Sequence, residues 1–301
     1  MKWNEIIEMD KSAELNQLIA DHDLVAHYTS KCKAIEHILP KQEIKFSSLG
    51  KTNDPYEFKA HWFGELGSLV PRSDQQNENP SECDIANQKY SEIKNCVTKQ
   101  IKIFCTTKNS ANPFENYLLP SMWAHYGEKH GGVCLLFSKK ELSNCLTKYQ
   151  TSYYGDVEKI EVNYEEFWHS RDYDCAASTQ IEPESLDDYV NDKGKLFEHL
   201  KNHNFLDYLG RKHPNWQQEN EHRWLVFSKN ADDFFIDYGD ALKAVVLGCE
   251  FPLLNHFLDP TPDLSAICTK LKGTDTQLFK LTHERGNFCV SDVARERYEN
   301  N

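Results

Sequence analysis

Short apolar runs alternate with amphipathic stretches along the chain, and the period of each run decides the element it predicts. Leu15, Leu18 and Ile19 recur at helical spacing in residues 11–21, with Ser12 as the expected N-cap. LVAHY (24–28) reads as a short strand. SKCKAIEHIL puts Ala34, Ile35, Ile38 and Leu39 on one stripe behind a Ser30 cap, with Pro40 as its stop. EIKFSS (43–48), IKIFCTT (101–107), GGVCLLF (131–137), HRWLVFS (222–228), ALKAVVLG (241–248) and QLFKLTH (277–283) read as further strands, and EKIEVNY (158–164) alternates like one.

Between them, Ser138 caps a helix over SKKELSNCL, residues 184–209 carry one longer amphipathic helix, and Pro120 breaks an aromatic helix around WAHY. Residues 71–90 are polar and poor in apolar anchors, which predicts a mobile insertion extending to about residue 95. Helices and strands mix without regular β-α alternation, so the pattern predicts an α+β fold in a single domain over residues 1–301.

Composition adds limits. With 39% hydrophobic residues there is material for one large core, and no run approaches the roughly 18 apolar residues of a membrane span. The opening MKWNEIIEMDKSAELNQL lacks the apolar stretch of a signal peptide, so a soluble, cytoplasmic protein is expected. Ten cysteines are scattered without a C-x-x-C pair, several inside apolar strands, which suits a reducing compartment and disfavours structural zinc. The net charge of -13 opposes general nucleic-acid binding, and Lys94, Lys99, Lys102 and Lys108 read as a solvated face.

Phosphate-loop, dinucleotide, zincin and nucleophile-elbow motifs are all missing. His199 and His203 stand at i, i+4 without a third ligand and read as helix-surface residues, so no metal is expected. What remains is a series of polar groups at strand ends. His27-Tyr28-Thr29 closes the first strand and Ser47-Ser48 the second, with the turn Asn53-Asp54-Pro55-Tyr56-Glu57 beyond it. Trp123-Ala124-His125-Tyr126 and His130-Gly131-Gly132 follow. The last is WQQENEHRWLVF (216–227), where strand alternation would line up Glu219, Glu221, Arg223, Leu225 and Phe227 at an exposed strand end. Each member alone has an ordinary reading: a core histidine, a turn, an aromatic patch, an ion pair.

In this order the motifs resemble a bacterial family recorded as domain of unknown function 2971, over about residues 24–250. The order also resembles, more remotely, the ADP-ribosyltransferase superfamily: a histidine on the first strand, a serine on the second, and a late E-x-E entering a strand. That resemblance implies a split mixed or antiparallel sheet flanked by helices, NAD as the cosubstrate, and transfer of ADP-ribose to a protein or nucleic-acid acceptor. It implies Glu221 as the catalytic carboxylate, Glu219 facing the acceptor, and His27 with Tyr28 and Thr29 orienting NAD. Ser47, Ser48 and Asn53 would support the site, Tyr56, Trp123, His125 and Tyr126 would hold nicotinamide, and Arg223 would orient Glu221 or meet the pyrophosphate.

Those roles suit the chemistry. Cleaving the nicotinamide bond builds oxocarbenium-like charge on the ribose, which a fixed carboxylate stabilises most in the transition state. The superfamily usually pairs E-x-E with a first-strand arginine, so a histidine there is a departure that leaves the acceptor open. A bacterial toxin or phage-defence effector, with an antitoxin as partner, fits such chemistry. Two other readings stand beside it: a non-catalytic nucleotide-binding or interaction module in a defence complex, and a hydrolase or nuclease holding a divalent ion on Glu219, Glu221 and Asp54. An exposed Glu221 predicts that Glu221→Gln leaves the melting temperature within a few degrees.

Overall fold

Strand β3 (Ile101–Thr107) is the hinge of the architecture, because each of its edges is shared. On one edge all seven of its residues pair antiparallel with β8 (Glu221–Ser228), from Ile101↔Phe227 to Thr107↔Glu221. β5 (Tyr153–Glu161) then pairs with the far side of β8. The other edge of β3 is divided. Its C-terminal end meets β1 (Leu24–Thr29) at Ala26↔Thr107, and its N-terminal end meets β2 (Glu43–Ser48) at Ser47↔Ile103 and Ser48↔Lys102. The computed structural model describes residues 10–52, 80–109, 116–165, 181, 185–203, 205–254, 259–284 and 287–293.

Beyond β1 the sheet continues through β4 (Val133–Ser138), β10 (Leu242–Leu247), β11 (Gln277–Glu284) and β12 (Asn287–Asp292), while β9 (Phe234–Asp237) extends β2. β10 and β11 run parallel and the other pairs in this sheet antiparallel, so the sheet is mixed and open. The short β6 (Asn163–Tyr164) and β7 (Arg211–Lys212) pair separately. The predicted α+β single domain is observed, and the sheet is split where β1 and β2 part along β3.

Both faces are covered, which is why several central strands read as unbroken apolar runs. On one face Ala26, Tyr28, Cys134, Leu136, Ala244 and Val246 pack under Leu15, Ile19 and Trp123. The same face continues as Ile101, Ile103, Leu225 and Phe227 beneath the helices Pro80–Gln100 and Lys193–Asn202. The opposite face joins Val25, Phe46, Phe104, Leu135, Phe137, Trp224 and Val226 to Leu142, Leu146, Leu264 and Ile267.

Several local expectations change. Residues 71–79 lie outside the described residues, but 80–100 form a helix rather than a polar insertion, with Tyr90, Ile93 and Val97 buried on one stripe. Ser12 opens the helix Ser12–His22 from inside, its N–H donating to Asp10. Ser30 caps as predicted, but a π-type turn over Ala34–Ile38 carries the chain past Pro40 to Lys41, and Gln42 ends it at φ 54°. The helix expected over 184–209 is three, Leu186–Asn191, Lys193–Asn202 and Phe205–Leu209, because Asp192 leaves helical geometry to cap the second. Pro120 starts the helix Pro120–His125 instead of breaking one. The lysine cluster divides: Lys102 is buried on Ser48 and the Ala231 carbonyl, and Lys108 pairs with Glu161.

After that helix, Glu128, Lys129 and His130 take three successive positive φ values, 54°, 52° and 68°. The turn carries His130 between the rings of Trp123 and Phe288 and brings its carbonyl onto Gly248. A Cβ at Gly248 would stand 2.1 Å from that carbonyl oxygen and 2.9 Å from the Trp123 ring. Gly248→Ala is therefore expected to cost about 1–3 kcal/mol, measured by urea unfolding; an unchanged midpoint would show that the two loops can part freely.

Candidate functional site

The charged stretch before β8 does not lie at an open strand end. The helical turn Pro214–Glu219 delivers Glu219, and Asn220 at φ 44° reverses the chain into β8. Lys212 approaches from β7 and sits 2.6 Å from Glu219 Oε2 and 3.2 Å from Glu221 Oε2. Arg223, next on the same face of β8, grips Glu221 in a fork, with Nε on Oε1 and Nη2 on Oε2, both at 2.8 Å. Its Nη1 donates to the Leu209 carbonyl. Tyr126 donates its hydroxyl to Glu219 Oε1 at 2.7 Å, and the Glu221 N–H donates to the Tyr164 hydroxyl. Lys212 also lies 5.0 Å above the Trp216 ring.

Exposure decides what this cluster is. Lys212, Glu219, Glu221 and Arg223 are 2%, 5%, 5% and 1% exposed. Two anions face two cations, so the buried set is formally neutral, and each charge has directional partners. Burial alone would raise the Glu221 carboxyl. The Arg223 guanidinium, the Lys212 ammonium and a hydrogen bond from the Cys105 thiol outweigh it and bring it down to about 2.

Cys105 links the cluster to the split in the sheet. Its carbonyl accepts from His27 Nδ1 at 3.1 Å, on the stretch of β3 that neither β1 nor β2 pairs. Only a protonated Nδ1 can make that bond, so the tautomer is fixed and Nε2 carries the acceptor lone pair. Burial pushes the ring down to about 4, with Cys105 opposing and Lys33 adding, so the imidazole is neutral at ordinary pH. His27 is partly buried and packs 4.8 Å from Phe104.

These positions revise the expected site. Directly opposed residues share a face, so Ala26, Thr107 and Glu221 lie on one side, whereas His27, Phe104 and Trp224 lie on the other. His27 and Glu221 thus do not share a face; they meet Cys105 from its two sides. Glu219 leaves the strand row because it belongs to the preceding turn, although its carboxylate still reaches the same lysine. The exposed Glu221 is replaced by a buried one, and the mild effect expected of Glu221→Gln falls with it.

Tyr28, Thr29 and Trp123 are core residues: Tyr28 donates to the Asn116 carbonyl, and Trp123 donates to the Tyr117 carbonyl and packs edge-on to Tyr28. Ser48 is buried and accepts from Lys102. Ser47 and Tyr126 are partly buried, and His125 is exposed beside Trp216. Asn53, Asp54 and Tyr56 lie outside the described residues. Among the described residues no group of three or more His, Cys, Asp and Glu side chains could hold a metal, and no helix is long and apolar enough to cross a membrane. His199 and His203 stack on each other at 4.0 Å.

Residues 122–224 match the family model described as protein of unknown function (DUF2971). The family that the motifs resemble is supported. No curated protein and no solved structure matches. The DUF2971 segment runs from the Trp123 helix to the middle of β8, and the cluster closes it, since Tyr126 near its start bonds Glu219 near its end. His27, Ser47 and Ser48 precede it.

Sequence reasoning missed Lys212, Tyr164 and His222, and gave Cys105 no role at the site. Lys212 sits in a two-residue strand with no periodicity, and Tyr164 ends the alternating run 158–164 without other chemistry beside it. His222 stood inside a motif whose neighbours drew the attention. It is 2% exposed, neither ring nitrogen has a partner among the described residues, and burial pushes it down to about 4, with Lys139 adding to the effect.

Proposed function

We propose that this protein binds a nucleotide of the NAD class at the split in its sheet and transfers ADP-ribose from it. One observation carries the reading: the divided edge of β3 holds His27 in a fixed neutral tautomer, and the residue that fixes it, Cys105, also donates to the ionised Glu221. A neutral imidazole with a free lone pair on Nε2 is suited to accept from a ribose hydroxyl. A carboxylate kept ionised in a low-dielectric site is suited to stabilise positive charge developing on the other, nicotinamide-bearing ribose, which would lie across the split on the face opposite His27. For Glu221 to touch the sugar, the hold of Arg223 and Lys212 has to loosen when ligand enters. An ADP-ribosyltransferase-like arrangement of the split sheet belongs to the same proposal, as do a macromolecular acceptor and a role as a defence effector or toxin.

A second reading, binding without turnover, is favoured by the complete occupation of the Glu221 carboxylate in this structure. Nicotinamide release from NAD separates the two. Release above the spontaneous rate supports transfer or hydrolysis. An NAD-induced rise in melting temperature without release supports binding, and neither effect removes both readings.

A further inference from the structure

A second cleft lies outside the split, at the end of the sheet where β3 stops and β8 begins. It has a volume of about 540 Å³, within the range of small-molecule sites, and includes Lys108, Asn116, Tyr164, Gln217, Gln218 and Asn220 among its lining residues. Leu119, Pro120 and Val162 supply apolar surface, and Ser121 stands beside them.

The hydrogen bonds already made in this lining leave two amide oxygens to accept and one hydroxyl to donate. Asn220 spends its amide nitrogen on the Lys108 carbonyl, which leaves the amide oxygen to accept. Asn116 likewise spends its nitrogen on the Leu24 carbonyl, and its Oδ1 is buried without a partner among the described residues, in a residue 1% exposed. The Tyr164 oxygen accepts from the Glu221 N–H, so its own hydrogen is left to donate. Ser121 Oγ is buried and has no partner among the described residues. Lys108, the one cation among the described lining residues, is already paired with Glu161 at 2.7 Å, which argues against a phosphate or carboxylate ligand.

We propose that this cleft binds an amino-bearing nucleobase of the adenine or cytosine class. Two fixed amide oxygens suit the two hydrogens of an exocyclic amine, and the Tyr164 hydroxyl suits the adjacent ring nitrogen, which only accepts. Leu119, Pro120 and Val162 give a flat ring apolar surface to lie on. Uracil presents carbonyl oxygens where the amine would be, and these would face the asparagine oxygens as acceptor against acceptor. The cleft shares the Tyr164–Glu221 hydrogen bond with the ionic cluster, so nucleosides lacking diphosphate and nicotinamide are paired with variants of its own lining to read it apart from NAD turnover.

Calorimetric titration of the full chain with adenosine, cytidine and uridine provides the test. Adenosine or cytidine is expected to bind, with uridine weaker by about tenfold or more, because unpaired buried polar groups discriminate strongly. Asn220→Gly keeps the positive φ while removing the amide, and Tyr164→Phe keeps the ring while removing the donor. Each is expected to weaken adenosine or cytidine binding by about tenfold, with circular dichroism confirming the fold. Failure of every nucleoside to bind, equal binding of uridine, or wild-type affinity in both variants would overturn the proposal.

Discussion

Arg223→Leu is expected to destabilise the fold by about 3–5 kcal/mol, the cost of breaking a buried ion pair from one side. Removing the guanidinium leaves Glu219 and Glu221, both 5% exposed, facing Lys212 alone, and it also strips the Leu209 carbonyl of a donor. Glu221→Gln disturbs the same set more gently, since an amide oxygen can still accept from Arg223. Replacing Glu221 and Arg223 together by apolar residues should recover part of the single-variant loss, because no charge is then stranded. Urea unfolding of the two singles and the double closes the cycle. A small effect of Arg223→Leu, within about 1 kcal/mol of wild type, would mean that water reaches the carboxylates.

Acid should destabilise the protein in two steps. His27 and His222 are neutral when folded, each at about 4, and would be protonated when unfolded below about 6.5. Their contribution is fully present above pH 6.5 and is lost as the pH falls from there to 4. For His222 it amounts to at most about 3 kcal/mol, and less for His27, which is only partly buried. Glu221 titrates in the lower window: its contribution is present above about 4.5 and disappears as the pH falls towards 2. The melting temperature should therefore decline steeply between pH 6.5 and 4, and His222→Leu should flatten that decline. A wild-type profile level through this window would contradict the burial of both rings.

The outline of the fold was legible because its strands are short and apolar enough to interrupt the helical period. GGVCLLF and ALKAVVLG are buried on both faces and could not be mistaken. Boundaries failed where one residue had two uses, as with Asp192, which reads as helix surface yet ends one helix and caps the next. The stripe Tyr90, Ile93, Val97 was hidden by the polar sequence before it.

At the candidate site, the sequence brought out Glu219, Glu221 and Arg223 as a group but misjudged their setting. Alternation assigns faces within a strand; it says nothing about what covers a face. Tyr126 arrives from a helix end far back along the chain and Lys212 from the two-residue β7 just before the turn, and they convert an apparent open end into a closed ionic cluster. For the same reason, the order His27, Ser47, Glu221 along the chain could not reveal that His27 and Glu221 take opposite sides of Cys105.

ADP-ribosyl transfer supported by Glu221 beside the split is the proposed activity. It is tested most directly by incubating the folded protein with NAD labelled in its ADP-ribose part and a bacterial lysate. Wild type is compared with Glu221→Gln at a temperature where both remain folded by circular dichroism. The predicted result is nicotinamide release with transfer of label by the wild type, and loss of both in the variant. No release and no transfer by the wild type, or an undiminished rate in folded Glu221→Gln, would contradict the account.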